Sequence, residues 1–257
     1  MANDTPILVF DSGFGGISVM KKLVSRMPGE DYLYFGDSAN APYGPRPETE
    51  IRALAVGAIR SLLTDVTPRA VVLACNTVTA VAMENIKQLL PAVPVIGIRP
   101  ALLQAETAGH RRILSLATAG TLASASYKRQ ISALSPQTEV VSVAAPGIVT
   151  YVESGKADRD TLVSELKKLL LPVCREDVNA VVLGCTHFPF AKDEIREALG
   201  RELFFFDAGA DVAEATAAAL KDGSSEKRSV RGSITFLNSL NRPSAIGLAW
   251  SLFESPC

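Results

Sequence analysis

Four cysteines and two histidines in 257 residues leave little material for disulfide or metal chemistry. Cys75, Cys174, Cys185 and Cys257 show no CxxC spacing, which argues against a disulfide framework, a zinc ribbon and the usual redox pair. An excess of one charge is missing too. The formal net charge is −1, and Lys and Arg form no extended run, so neither nucleic acid nor an anionic membrane surface is the expected partner. No stretch reaches the roughly 18 uninterrupted apolar residues of a membrane span. The opening MANDTPILVFD lacks the basic and then apolar regions of a secretory signal. A cytoplasmic location, where thiols stay reduced, is therefore expected. The phosphate-binding GxxxxGK[ST] pattern is absent. DSGFGG (11–16) also fails as a dinucleotide fingerprint, because Ser18 stands where GxGxxG needs its third glycine.

What is present is an ordinary globular balance, 47% hydrophobic and 21% charged, at a length that suits one large domain or two compact ones. Short apolar runs rich in β-branched and aromatic residues alternate with segments of helical period. The predicted strands are 7–10, 32–35, 70–74, 94–98, 113–117, 139–143, 180–184 and 203–206, with another at 234–237. Between them Ile51, Leu54, Ala55, Ala58, Ile59, Leu62 and Leu63 follow an i, i+3, i+4 pattern, as do Leu162, Leu166, Leu169 and Leu170, with Asp158 or Asp160 as the cap. Strands that are apolar on both faces and separated by helices predict an α/β class with largely parallel sheets covered on both sides. DGSSEKRSVRG (222–232) reads as a surface loop.

The chain also repeats itself. Residues 70–77 are AVVLACNT and residues 180–187 are AVVLGCTH, while ILVFDSG (7–13) and ILSLATAG (113–120) each run from a strand into a small turn. Two similar α/β halves follow from this. In open parallel sheets, ligands bind beyond the carboxyl ends of the strands. DSGFGG, CNT (75–77), TAGT (118–121) and CTH (185–187) all fall at such ends, each ahead of an expected helix whose free N–H groups suit an anion or a thiolate. DSGFGG is either a tight turn or a turn that also seats an anionic ligand. Cys75 and Cys185 read singly as buried small side chains. Their pairing reads differently: two thiols facing one small ligand can take a proton from one face of a carbon and return one to the other. His187 could orient or deprotonate the Cys185 thiol. Cys185-x-His187 lacks further metal ligands. His110 reads as a surface residue, and SANAPYGPRP (38–47) as a loop placed to line a site.

Taken together, FDSGFGGISV (10–19), YFGDSANAPYG (34–44), ACNT (74–77), ATAGT (117–121), VESG (152–155), GCTHFP (184–189) and DAGAD (207–211) resemble the cofactor-independent glutamate racemases of the aspartate/glutamate racemase superfamily. The resemblance covers nearly the whole chain. It implies two pseudo-symmetric, doubly wound α/β domains, 1–97 plus 208–257 and 98–207, with an interdomain cleft. It also implies two-base interconversion of L- and D-glutamate without pyridoxal phosphate, supplying D-glutamate for peptidoglycan synthesis. Cys75 and Cys185 would be the acid/base pair, with Asp11 and His187 assisting them. Ser12, Tyr43, Gly44, Asn76, Thr77, Thr118, Thr121 and Thr186 would hold the substrate, with Glu153 near the cleft. An aspartate or broad-specificity racemase would use the same thiols, and a non-catalytic clamp for an acidic ligand would not need them. No oligomeric state is fixed by the sequence, and a homodimer is compatible with it.

Overall fold

The computed structural model describes residues 5–175, 177–221 and 231–257, so most of the loop read at 222–232 lies outside the described residues. The first part of the chain runs through β1 (Ile7–Asp11), α1 (Ile17–Arg26), β2 (Tyr32–Gly36), α2 (Glu48–Leu62), β3 (Ala70–Leu73), α3 (Asn76–Leu89) and β4 (Val95–Gly97). The next part repeats the plan with α4 (Leu102–Thr107), β5 (Arg112–Ala117), α5 (Ala119–Ala123), α6 (Ala125–Ser132), β6 (Glu139–Ala144), α7 (Pro146–Glu153), α8 (Arg159–Leu170), β7 (Ala180–Gly184), α9 (Lys192–Leu199) and β8 (Phe204–Phe206). It ends in α10 (Gly209–Lys221), β9 (Ile234–Asn238) and α11 (Pro243–Glu254). Every predicted strand is found, with ends shifted by a residue or so.

The strands form two wholly parallel sheets, ordered β4-β3-β1-β2-β9 and β8-β7-β5-β6. Replacing each of β1 to β4 by the strand four places later turns the first order into the second, with β9 added at one edge. The repeat seen in the sequence is therefore a repeat of topology, and β3 and β7, which lead into Cys75 and Cys185, occupy equivalent places. We call the two sheets with their helices the first and second lobes.

Side chains on a strand alternate between faces. Ile7 and Val9 accordingly enter one apolar cluster with α1 and α10, while Leu8 and Phe10 enter another with α2 and α3. On β3, Ala70 and Val72 join the first cluster and Val71 and Leu73 the second. Both faces of the central strands are thus dry. The marginal strands β4, β6, β8 and β9 are only partly buried, each at an edge of its sheet among the described residues.

Helix α8 settles its cap in favour of Asp158, whose carboxylate accepts the Thr161 amide at 3.4 Å, while Asp160 lies in the first turn. One expectation needs correcting. Asn76 opens α3 directly after Cys75, but no α-helix starts after Cys185. Phe188–Ala191 forms a short 3₁₀ turn containing Pro189, and α9 begins only at Lys192. Among the described residues, no helix is long and apolar enough to cross a membrane.

Phe10 is fully buried and stacks on Phe35 with ring centroids 6.0 Å apart. Phe10→Ala should cost about 3–5 kcal/mol in urea unfolding, whereas Leu103→Ala, on an exposed side chain, should stay within about 0.5 kcal/mol.

Candidate active site

The carboxyl ends of β1 and β3 in one lobe and of β5 and β7 in the other converge on a cavity of about 230 Å³. This is below the roughly 300–1,000 Å³ of a drug-sized pocket, so the space suits a small metabolite. Ser12, Tyr43, Gly44, Cys75, Asn76, Thr77, Thr118, Glu153, Cys185, Thr186 and His187 all line it. A wider hollow of about 870 Å³, bordered by Met83, Arg99, Leu103 and Asp211, contains neither cysteine nor histidine.

The two thiols are both buried but differently supported. Cys75 caps α3 in an extended conformation, and its Sγ lies 3.4 Å from Ser12 Oγ. Burial pushes this thiol up to about 12, and the charge of Asp11 adds to the push; Ser12 and the Val78 amide ease it without reversing it. Cys185 Sγ lies 3.6 Å from His187 Nδ1, and His187 Nε2 lies 2.6 Å from Glu153 Oε1. Burial works to lower the basicity of His187, but the bonds to Cys185 and Glu153 outweigh it, and its pKa is raised well above the ordinary imidazole value. One thiol is thus held neutral beside a hydroxyl, while the other faces a cationic imidazole.

Asp11 and Thr121 sit behind the lining. Asp11 is fully buried, accepts the Gly13 amide at 2.9 Å and the Thr186 hydroxyl at 3.1 Å, and is not the hydrogen-bond partner of Cys75. Burial raises its pKa against the pull of His187. Thr121 buttresses two lining residues, with its Oγ1 3.0 Å from that of Thr118 and 3.4 Å from that of Thr77. The lobes also meet directly, through Thr77 Oγ1 and Thr118 Oγ1 at 3.0 Å, the Gly120 amide on Gly44 O at 3.1 Å and Ser18 Oγ on Thr186 O at 2.8 Å.

The sequence matches the family described as Asp/Glu/Hydantoin racemase over residues 7–221. The chain belongs to this family. It is 34% identical over 256 residues to the glutamate racemase of Clostridium perfringens, covering 98% of this chain and 97% of that one. Its fold superposes on glutamate racemase isoform RacE1 of Bacillus anthracis with a TM-score of 0.84 at 28% identity, covering 98% and 95% of the two chains. It also superposes on the Escherichia coli glutamate racemase, solved with L-glutamate and the activator UDP-MurNAc-Ala, with a TM-score of 0.84 at 26% identity, covering 96% and 94%. The resemblance read from the motifs is borne out, as is the α/β class with two parallel sheets.

Several site residues escaped the sequence reading. Asp37 accepts the Tyr43 hydroxyl at 2.6 Å and both its oxygens take the Asn40 amide at 3.0 Å, so it fixes the loop that carries Tyr43 into the cavity. Pro146, Val149 and Thr150 line the cavity from α7. Val149 and Thr150 lie four and three residues before Glu153, so helical spacing from Glu153 would have found them.

The state of the Cys75 thiol is open to measurement. Since a thiol alkylates through its thiolate, the rate of iodoacetamide labelling at Cys75, read by peptide mass spectrometry, should climb about tenfold per pH unit from pH 8 to 10. A plateau within that range would show that burial does not hold the thiol neutral.

Proposed function

We propose that this chain interconverts L- and D-glutamate, with one thiol working on each face of the substrate Cα. The observation that carries the reading is the placement of Cys75 and Cys185: two cysteines that end topologically equivalent strands line a single small cavity. The glutamate racemase relatives, and the L-glutamate bound in the Escherichia coli structure, support the choice of substrate.

In the proposed reaction a thiolate takes the Cα proton, the electron pair is left delocalised into the adjacent carboxylate, and the opposing thiol gives its proton to the other face. The C–H bond broken is replaced by one of opposite configuration, and the two sulfurs exchange protonation states. Burial keeps Cys75 neutral, so in one direction of the reaction it gives its proton while Cys185, beside His187, takes one. The opposite enantiomer needs the reverse. Asn76 Oδ1, a buried acceptor with no partner among the described residues, suits the substrate ammonium. The hydroxyls of Ser12, Thr77, Thr118 and Thr186 and the amides that open α3 suit its carboxylates. Tyr43 and Gly44 close one wall, and Thr121 and Asp11 support the lining from behind.

In the same reading the chain divides into 1–97 plus 208–257 and 98–207, in line with the strands of each sheet. The product D-glutamate would supply peptidoglycan synthesis in the cytoplasm.

Incubation with either enantiomer in deuterated water, without added pyridoxal phosphate, should give exchange at Cα together with racemisation. Cys75→Ala and Cys185→Ala should each lose at least about 10³-fold in both directions. Full activity in both single variants would exclude the two-thiol mechanism. Comparing kcat/KM for glutamate and aspartate decides the substrate.

A further inference from the structure

Glu153 is gripped from both lobes. It ends α7 in the second lobe, where its Oε1 lies 2.6 Å from His187 Nε2. From the first lobe the same oxygen accepts the Phe14 amide at 2.7 Å, and Oε2 accepts the Ser38 hydroxyl at 3.4 Å. The loop between β1 and α1 is shaped around this carboxylate and its histidine. A Cβ on Gly13 would fall 2.1 Å from Glu153 Oε1, and one on Gly15 would fall 2.2 Å from His187 Nδ1. Neither glycine has a positive φ, so space rather than backbone conformation demands them. The loop cannot retreat, because Tyr34 Oη donates to Gly13 O at 2.7 Å and Asp11 accepts the Gly13 amide at 2.9 Å. The DSGFGG turn therefore receives the Glu153 side chain of the other lobe.

We propose, resting on the two-thiol reading, that Glu153 is a positioning residue whose carboxylate, seated in the glycine loop of the first lobe, locks His187 against Cys185 only when the two lobes are together. A glutamate side chain at a helix end has several rotamers, and one bond to an imidazole does not select among them. The Phe14 amide does, as a second, charge-assisted bond from a rigid loop. The ionisable groups facing His187 are Cys185 from the end of β7, Glu153 from α7 and Asp11 from the end of β1. Of these, only Glu153 is held in place by a backbone amide of the opposite lobe while it bonds the imidazole. Separating the lobes removes that amide, frees the carboxylate and lets the imidazole drift from the thiol. The cation that a Cys185 thiolate needs would then be assembled only in the closed, water-poor cleft.

Gly13→Ala tests this directly. The atom that must give way to the new Cβ is the tip of a side chain, so the substitution displaces the carboxylate without breaking backbone packing. The chain has only His110 and His187, so labelling its imidazoles gives two resonances to follow by NMR, with His110 as internal control. In Gly13→Ala and in Glu153→Gln the His187 titration midpoint should fall by about one pH unit or more while that of His110 stays put. Glutamate turnover should show kcat down at least about tenfold with KM changed less. Gly13→Ala combined with Glu153→Asp, which withdraws the carboxylate by one methylene, should recover part of both. A native His187 midpoint in either single variant overturns the proposal, and Glu153→Gln adds no volume, so it reports even where the alanine variant folds poorly. If the unaltered chain fails to exchange Cα–H, the two-thiol reading falls, while the imidazole titration still decides whether Glu153 positions His187.

Discussion

Dehydration is the constraint on which the site depends. Asp11, Cys75, Cys185 and His187 are all buried where the two lobes meet, and a charge there survives only beside its opposite or a hydrogen-bond donor. That requirement explains why the imidazole lies between a thiol and a carboxylate, why Asp11 takes both a backbone amide and the Thr186 hydroxyl, and why burial leaves Cys75 neutral. It also explains the tight seam between lobes. Any water admitted at Gly13 or Gly15 would offer each charged group a cheaper partner than the one it has.

The pseudo-symmetry is one of topology and ends at the first side chains beyond the strands. Both sheets follow the same strand order and deliver a cysteine from the same position. After Cys75 the chain continues straight into α3, so that thiol meets helix amides and a serine. After Cys185 the Phe188–Ala191 turn replaces the helix, and the thiol meets an imidazole instead. Where a helix N-terminus is lost, a side-chain cation stands in for its partial positive charge. The shared topology provides two equivalent positions, and local backbone geometry gives the two thiols unlike surroundings.

The sheets were legible because a parallel sheet buried on both faces writes itself as short apolar runs with nothing else to be. The paired cysteines were legible because a repeated AVVL places the next residues at equivalent strand ends. The interruption after Cys185 is present in the sequence as Pro189, in the 3₁₀ turn, but a lone proline does not by itself separate such a turn from the first turn of a helix. The glycine loop marks the real limit. Glycines at 13 and 15 announce close approach, yet what approaches is Glu153 at one and His187 at the other, far along the chain, and no local pattern names a partner at that separation. Asp37 was hidden for a similar reason: its work is to hold a loop, and a buried aspartate before a turn has several ordinary uses.

The inequality of the two thiols carries no thermodynamic penalty for a racemase. Enantiomers have the same free energy in water, so their equilibrium constant is one, and kcat/KM must then be equal in the two directions however different the two thiols are. Setting one thiol against an imidazole and the other against a hydroxyl cannot favour either product. It can only redistribute the reaction between binding and turnover, raising kcat and KM together for one enantiomer relative to the other. Nothing therefore requires the two halves of the site to be alike, and a repeated sheet topology can place two thiols symmetrically while supporting one by a hydroxyl and the other by an imidazole clasped to a carboxylate.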